Sequence, residues 1–129
     1  MSIAYLSLGS NLGDRRSHIR AALDHIAATA GIRVLTVSRV RETEPVGVTN
    51  QPKFLNAALC VETGLSPVQL LRKMQALEKQ LGRRPTYRWG PRVIDVDILL
   101  YDDLTVKRKD LAIPHPEMTN RRFVLEPMA

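Results

Sequence analysis

Val93-Ile94-Asp95-Val96-Asp97-Ile98-Leu99 alternates apolar with acidic side chains, which is the period of a β-strand and not of a helix. On such a strand Ile94, Val96 and Ile98 share one face, and Asp95 and Asp97 share the other. The apolar run continues to Tyr101, and Val93 to Tyr101 reads as a central strand. Residues two apart on a strand stand roughly 6.5 Å apart, so the two carboxylates can converge on one cation or flank a pair. Like charges this close resist joint ionisation unless a cation compensates them. A D-x-D motif alone more often marks a solvated face. Here Arg88-Trp89-Gly90-Pro91-Arg92 leads into it, setting planar guanidinium groups suited to phosphate oxygens beside the pair.

Working back from this strand, Ser66-Pro67-Val68-Gln69 has the pattern of a helix start with a capping box. Leu70, Leu71, Met74, Leu77 and Leu81 then line one helix face up to Gly82. Phe54 to Thr63 and Ile32 to Thr43 are β-type runs, separated by the proline- and glycine-bearing loop Glu44 to Pro52. Ile19, Ala22, Leu23, Ile26, Ala27 and Ala30 follow a second helix face that stops at Gly31. Residues 3 to 8 read as a strand, with a turn at Gly9-Ser10-Asn11.

Downstream, Asp102-Asp103 is a turn, Asp110 to Ile113 a short edge strand, and Met118 to Val124 a helical turn. The order predicts one α+β domain over residues 1–129, a ferredoxin-like antiparallel sheet with helices on one face and a βαββαβ core.

The chain of 129 residues is 44% hydrophobic and 25% charged, ordinary values for a soluble domain. No apolar run approaches a membrane span, and Met1-Ser2-Ile3-Ala4-Tyr5-Leu6 lacks the pattern of a signal peptide, which predicts a cytoplasmic protein. No heptad or exposed apolar helix demands a partner, so a monomer is expected. Cys60 is expected to be a buried inert thiol.

The net charge of +6 favours an anionic partner, and Arg83, Arg84, Arg88 and Arg92 concentrate that charge in one loop. Magnesium is the expected cation at Asp95 and Asp97, because a hard oxygen site with few protein ligands leaves room for phosphate oxygens. His18, His25, His115 and the single cysteine show no zinc-ligand spacing, and no Walker lysine follows Gly9-Ser10-Asn11-Leu12-Gly13. His115 stands between Pro114 and Pro116, where a stiff backbone can present its ring to a phosphate.

Arg88-x-Gly90-Pro91-Arg92-x-x-Asp95-x-Asp97-Ile98-Leu99 resembles the signature of the 6-hydroxymethyl-7,8-dihydropterin pyrophosphokinases of folate biosynthesis. The likeness extends to Gly9–Gly13, Thr43-Glu44-Pro45-Val46-Gly47, Gln51-Pro52, Phe54-Leu55-Asn56, Pro114-His115-Pro116 and Arg121-x-Phe123. It implies transfer of diphosphate from ATP to the pterin hydroxymethyl group with two magnesium ions. It also implies that Asp95 and Asp97 hold both metals, while Arg83 or Arg84 and Arg92 act at the reacting phosphates. Gln75, Glu78, Arg88, Trp89, Ile98, His115 and Arg121 are implied for ATP, and Thr43, Pro45, Val46, Phe54, Asn56, Trp89 and Phe123 for the pterin.

The Thr43 loop and the Gly82–Arg92 loop are expected to close together over ATP, excluding water. Asp110 and Ala112 stand where many such proteins carry a basic or hydroxyl residue, which predicts modest ATP affinity. Two other readings are an RNA-binding module of the same fold, opposed by few aromatics and a carboxylate pair, and a non-catalytic remnant that binds ATP or pterin. Nucleic acid and membrane are otherwise not expected partners.

Overall fold

The computed structural model describes residues 1–43, 53–82 and 93–115. In chain order they form β1 (Ser2–Ser10), α1 (Arg15–Ala27), β2 (Ile32–Val37), β3 (Arg41–Thr43), β4 (Phe54–Thr63), α2 (Pro67–Gln80), β5 (Asp95–Tyr101), β6 (Val106–Lys107) and β7 (Ala112–Ile113). The main sheet runs β2-β4-β1-β5, with β3 following β2 along β4, and every pairing is antiparallel.

Alternation along the strands decides which face is core. Ala4, Leu6 and Leu8 of β1, Leu55, Ala57, Leu59 and Val61 of β4, and Val96 and Ile98 of β5 join one buried cluster with Ile19, Ala22 and Ile26 of α1 and Leu70, Met74 and Leu77 of α2. Both helices therefore share one core on one side of the sheet, and the alternate residues lie on the far face. Each helix starts as its sequence dictates. The Asp14 side chain accepts from Ser17 N at 3.2 Å, and Ser66 and Gln69 form the reciprocal capping box. Gly31, at φ +86°, makes the left-handed turn out of α1 into β2.

Several expectations change. β1 runs through Ser10, so the turn expected at Gly9-Ser10-Asn11 is strand there, and the helix face read through Ala30 ends at Ala27. The run Ile32 to Thr43 is two strands, because the pairing with β4 shifts register between Val34 and Thr36 and the ladder breaks after Val37. At the break Ser38 stands in for a strand residue: its N–H donates to Ala58 O, and its hydroxyl accepts from Ala58 N, both at 2.8 Å. The strand carrying Asp95 and Asp97 is not central: among the described residues β5 pairs with β1 alone and forms an edge of the main sheet. The short strand near Asp110 is only Ala112–Ile113 and pairs with β6 in a separate two-stranded sheet.

Cys60 is half-buried, because it alternates with the core residues Leu59 and Val61 and so lies on the far face opposite Tyr5. Charge repulsion from Cys60, then their hydrogen bond, then slight burial hold the Tyr5 phenol above its ordinary pKa. The helical turn expected over 118–124 lies outside the described residues. No helix among the described residues is long and apolar enough to cross a membrane.

Candidate active site

The antiparallel registers set the far face in rows. Asp95 stands opposite Gly9, Gly9 opposite Asn56, and Asn56 opposite Arg41, so these four form one row across β5, β1, β4 and β3. The adjacent row carries Asp97, Ser7 and Ala58. Two strand spacings, roughly 10 Å, thus separate Asp95 from Asn56, with a residue lacking a side chain between them. A Cβ on Gly9 would meet Asn56 Oδ1 at 3.1 Å and Phe54 Cδ1 at 3.4 Å. Gly9 therefore lets the Asn56 carboxamide and the Phe54 ring close over the backbone of β1, with the Asp95 carboxylate in the same row on the other side.

Asn56 is buried, and Asp95 and Asp97 are half-buried. His115 comes to the pair from beyond β7. Its N–H donates to Leu99 O at 3.0 Å, and its ring Nε2 lies 3.7 Å from Asp97 Oδ1, with side-chain exposures of 20% and 23%. That separation is longer than a hydrogen bond but close enough for charge interaction when the ring is protonated.

The outer edge of β5 is also occupied. Val96 N–H, between the two aspartates, donates to Glu78 Oε2 of α2 at 2.8 Å in a buried contact. Arg15 of α1 donates to Glu42 Oε2 at 3.1 Å and to Lys53 O at 2.7 Å, tying together the chain on both sides of segment 44–52 next to Thr43 and Phe54.

Among the described residues no group of three or more His, Cys, Asp or Glu is arranged to hold a metal. The donor set at β5 is two carboxylates on one face, and it fits a hard cation that takes few protein ligands and completes its shell with water or phosphate oxygens. It does not fit a closed tetrahedral zinc site.

The model of the family described as 7,8-dihydro-6-hydroxymethylpterin-pyrophosphokinase (HPPK) matches residues 5–129. The chain belongs to this family. Two HPPK relatives bear the name 2-amino-4-hydroxy-6-hydroxymethyldihydropteridine pyrophosphokinase. The Bacillus subtilis protein is 44% identical over 128 residues, spanning 99% of this chain and 77% of its own. The Methylorubrum extorquens protein is 46% identical over 129 residues, spanning 100% and 82%. Among solved structures, wild-type Plasmodium falciparum HPPK-DHPS with pteroate has a TM-score of 0.74 at 16% identity, over 96% of this chain and 37% of that one. At that identity the likeness shows the fold, and this chain corresponds to little more than a third of the fused protein.

Of the residues the HPPK resemblance implies, the described structure brings Asp95, Asp97, His115, Asn56 and Phe54 to one face, and the Thr43 backbone pairs with Phe54. Gln75 lies one turn before Glu78 on α2 and accepts from Arg72 at 3.0 Å. The Ile98 side chain is buried in the core, so its part toward the edge of β5 is backbone. Asp110 pairs with Arg72 at 2.9 Å and lies 3.7 Å from Arg108, so its carboxylate lies between two guanidinium groups. Pro45, Val46, Arg83, Arg84, Arg88, Trp89, Arg92, Arg121 and Phe123, and both loops expected to close, lie outside the described residues.

Sequence reasoning passed over Gly9, taken for a turn, and Arg15. The signal for Gly9 was its place in the period of β1: it falls on the same alternation as Tyr5 and Ser7.

Proposed function

We infer that this HPPK-family chain transfers diphosphate from ATP to the hydroxymethyl group of 6-hydroxymethyl-7,8-dihydropterin in folate biosynthesis, releasing AMP. The observation that supports the reading is the row Asp95, Gly9, Asn56, in which a carboxylate and a carboxamide stand on either side of a residue without a side chain. Asn56 offers a donor and an acceptor to the edge of a flat heterocycle, and a buried amide of this kind rejects analogues that leave it unpaired. Phe54 supplies an aromatic wall, and Thr43, Pro45, Val46, Trp89 and Phe123 complete the pterin set.

Asp95 and Asp97 would hold two magnesium ions, which would supply charge neutralisation at the phosphates. Arg83 or Arg84, Arg88, Arg92 and Arg121 take the remaining phosphate oxygens, and Gln75 and Ile98 contact the nucleotide. His115, beside Asp97, donates to a phosphate oxygen. The pterin hydroxyl oxygen attacks the β-phosphorus in line as the bond from that phosphorus to the α,β-bridging oxygen breaks. Positioning and charge neutralisation serve this step without a covalent protein intermediate. The strand order β5-β1-β4-β2 with antiparallel neighbours supports a ferredoxin-like topology for the scaffold. A cytoplasmic monomer acting on small molecules, and not on nucleic acid or membrane, completes the reading.

The test is product identity after mixing protein, ATP, magnesium and the pterin. AMP and pterin diphosphate in equal amounts are expected. ADP as the product, salt-sensitive RNA binding without AMP, or calorimetric binding of both ligands without turnover would each contradict the reading.

A further inference from the structure

We propose that Glu78 is a positioning residue for the metal-holding pair, acting through the backbone amide that lies between Asp95 and Asp97. The proposal rests on the reading of those aspartates as cation ligands and departs from the ATP contact that the resemblance implies for Glu78, whose carboxylate accepts from a strand amide.

An antiparallel strand sends successive N–H groups to opposite sides. With Val96 N–H directed at Glu78, the amides of Asp95 and Asp97 face β1, where they stand opposite Gly9 and Ser7. Val96 is thus fixed in two ways: its side chain enters the core, and its amide is held from the outer edge by a carboxylate at 2.8 Å. Its neighbours can then carry their carboxylates on the far face with little freedom to twist.

An edge amide is ordinarily left to water, and edges are the part of a sheet most prone to fray. Glu78 is only 6% exposed and shares its helix face with Leu70, Met74 and Leu77, surroundings that disfavour a carboxylate. A charged acceptor makes a stronger bond to an amide than a neutral one, which suits a strand that must hold two like charges side by side. At the other end of the pair, His115 N–H holds Leu99 O, so both flanks of Asp97 are fastened from outside the sheet.

The test uses Mn2+ alone as a paramagnetic probe of the protein's own site, titrated without nucleotide and followed by the EPR signal of free Mn2+. Outer partners of metal ligands typically contribute about 10- to 100-fold to metal affinity. Glu78→Leu, which removes the acceptor, is expected to weaken Mn2+ binding at least about tenfold and to expose the Val96 amide to rapid hydrogen exchange. Glu78→Asp keeps the charge but draws it back by one methylene. It is expected to lose affinity similarly and serves if the leucine variant does not fold. Glu78→Gln keeps an acceptor oxygen within reach and is expected to stay within about threefold of wild type.

Wild-type Mn2+ affinity in Glu78→Asp and Glu78→Leu, with loss in Asp97→Ala, would overturn the proposal alone. So would a raised KM for ATP in these variants at unchanged Mn2+ affinity, which is the signature of a direct nucleotide contact. Unchanged affinity in Asp97→Ala would overturn the metal reading, and the proposal with it.

Discussion

The two edges of the main sheet are treated very differently. At one, β2 is short, shifts register after Val34, and leaves Leu35 and Val37 each 43% exposed. At the other, β5 has a buried carboxylate on its Val96 amide, a backbone bond from His115, and α2 packed against it. Bulging and shortness are enough to keep an edge from pairing with other chains. The β5 edge is secured beyond that need, and it is the one that carries Asp95 and Asp97. The buried Glu78 carboxylate, costly wherever it is used, sits at the edge that carries Asp95 and Asp97.

The comparison breaks most readily under α2. Leu77 is fully buried next to Glu78, and Leu77→Ala is expected to cost about 2–5 kcal/mol in urea unfolding, together with activity. Leu35→Ala on the β2 edge should change stability by no more than about 0.5 kcal/mol and leave turnover as it was. Equal losses at the two sites would mean that the edges do not differ.

Glycines sharpen the contrast next. Gly9→Ala would press a methyl group against Asn56 and Phe54, and an overpacked site of this kind typically costs about 1–3 kcal/mol. Its distinguishing effect is a KM for the pterin raised about tenfold, with the KM for ATP little moved, as expected for about 1.4 kcal/mol of lost binding. Gly31→Ala, at φ +86° with Leu65 Cγ 3.3 Å away, should lower stability by about 1 kcal/mol or more and leave both KM values unchanged. Steady-state kinetics beside denaturation curves separates the two.

Much of this was legible in the sequence, and what was not has a common cause. The alternation from Ile94 to Ile98 and the capping box at Ser66 and Gln69 are local patterns that appear where the residues placed them, and Gly31 is left-handed as read, although α1 already ends at Ala27. The edge position of β5, the strand role of Gly9 and the ladder bonds of Ser38 depend on which distant strand lies alongside, and no local period encodes that. Asp95 and Asp97 were legible as a pair. Their distance in rows from Asn56 was not, because it follows from the register of β1 with both β4 and β5.

The smallest effect is expected at the end of β5 away from the site. Asp102 Oδ1 accepts from Ile3 N at 2.8 Å, and that bond, followed by one from Ser2, lowers its carboxyl pKa against a slight opposing effect of burial. A carboxyl depressed in the folded state stabilises above its unfolded pKa of about 3.9, and that contribution disappears as pH falls through the lower folded value. Asp102→Asn, which tolerates the positive φ, should therefore be slightly less stable than wild type at pH 6, with the gap closing below about pH 4. Urea midpoints across pH measure it.

The central claim is that Asp95 and Asp97 hold the cations of a diphosphate transfer. The most direct measurement is magnesium-dependent AMP release from ATP and pterin by wild type and by Asp97→Ala at matched folded concentration. Wild type should release AMP only with magnesium, and Asp97→Ala should fall by at least about 10²-fold, the scale of losing one centre of transition-state charge stabilisation. AMP release by Asp97→Ala at the wild-type rate, with the same magnesium dependence, would contradict the account.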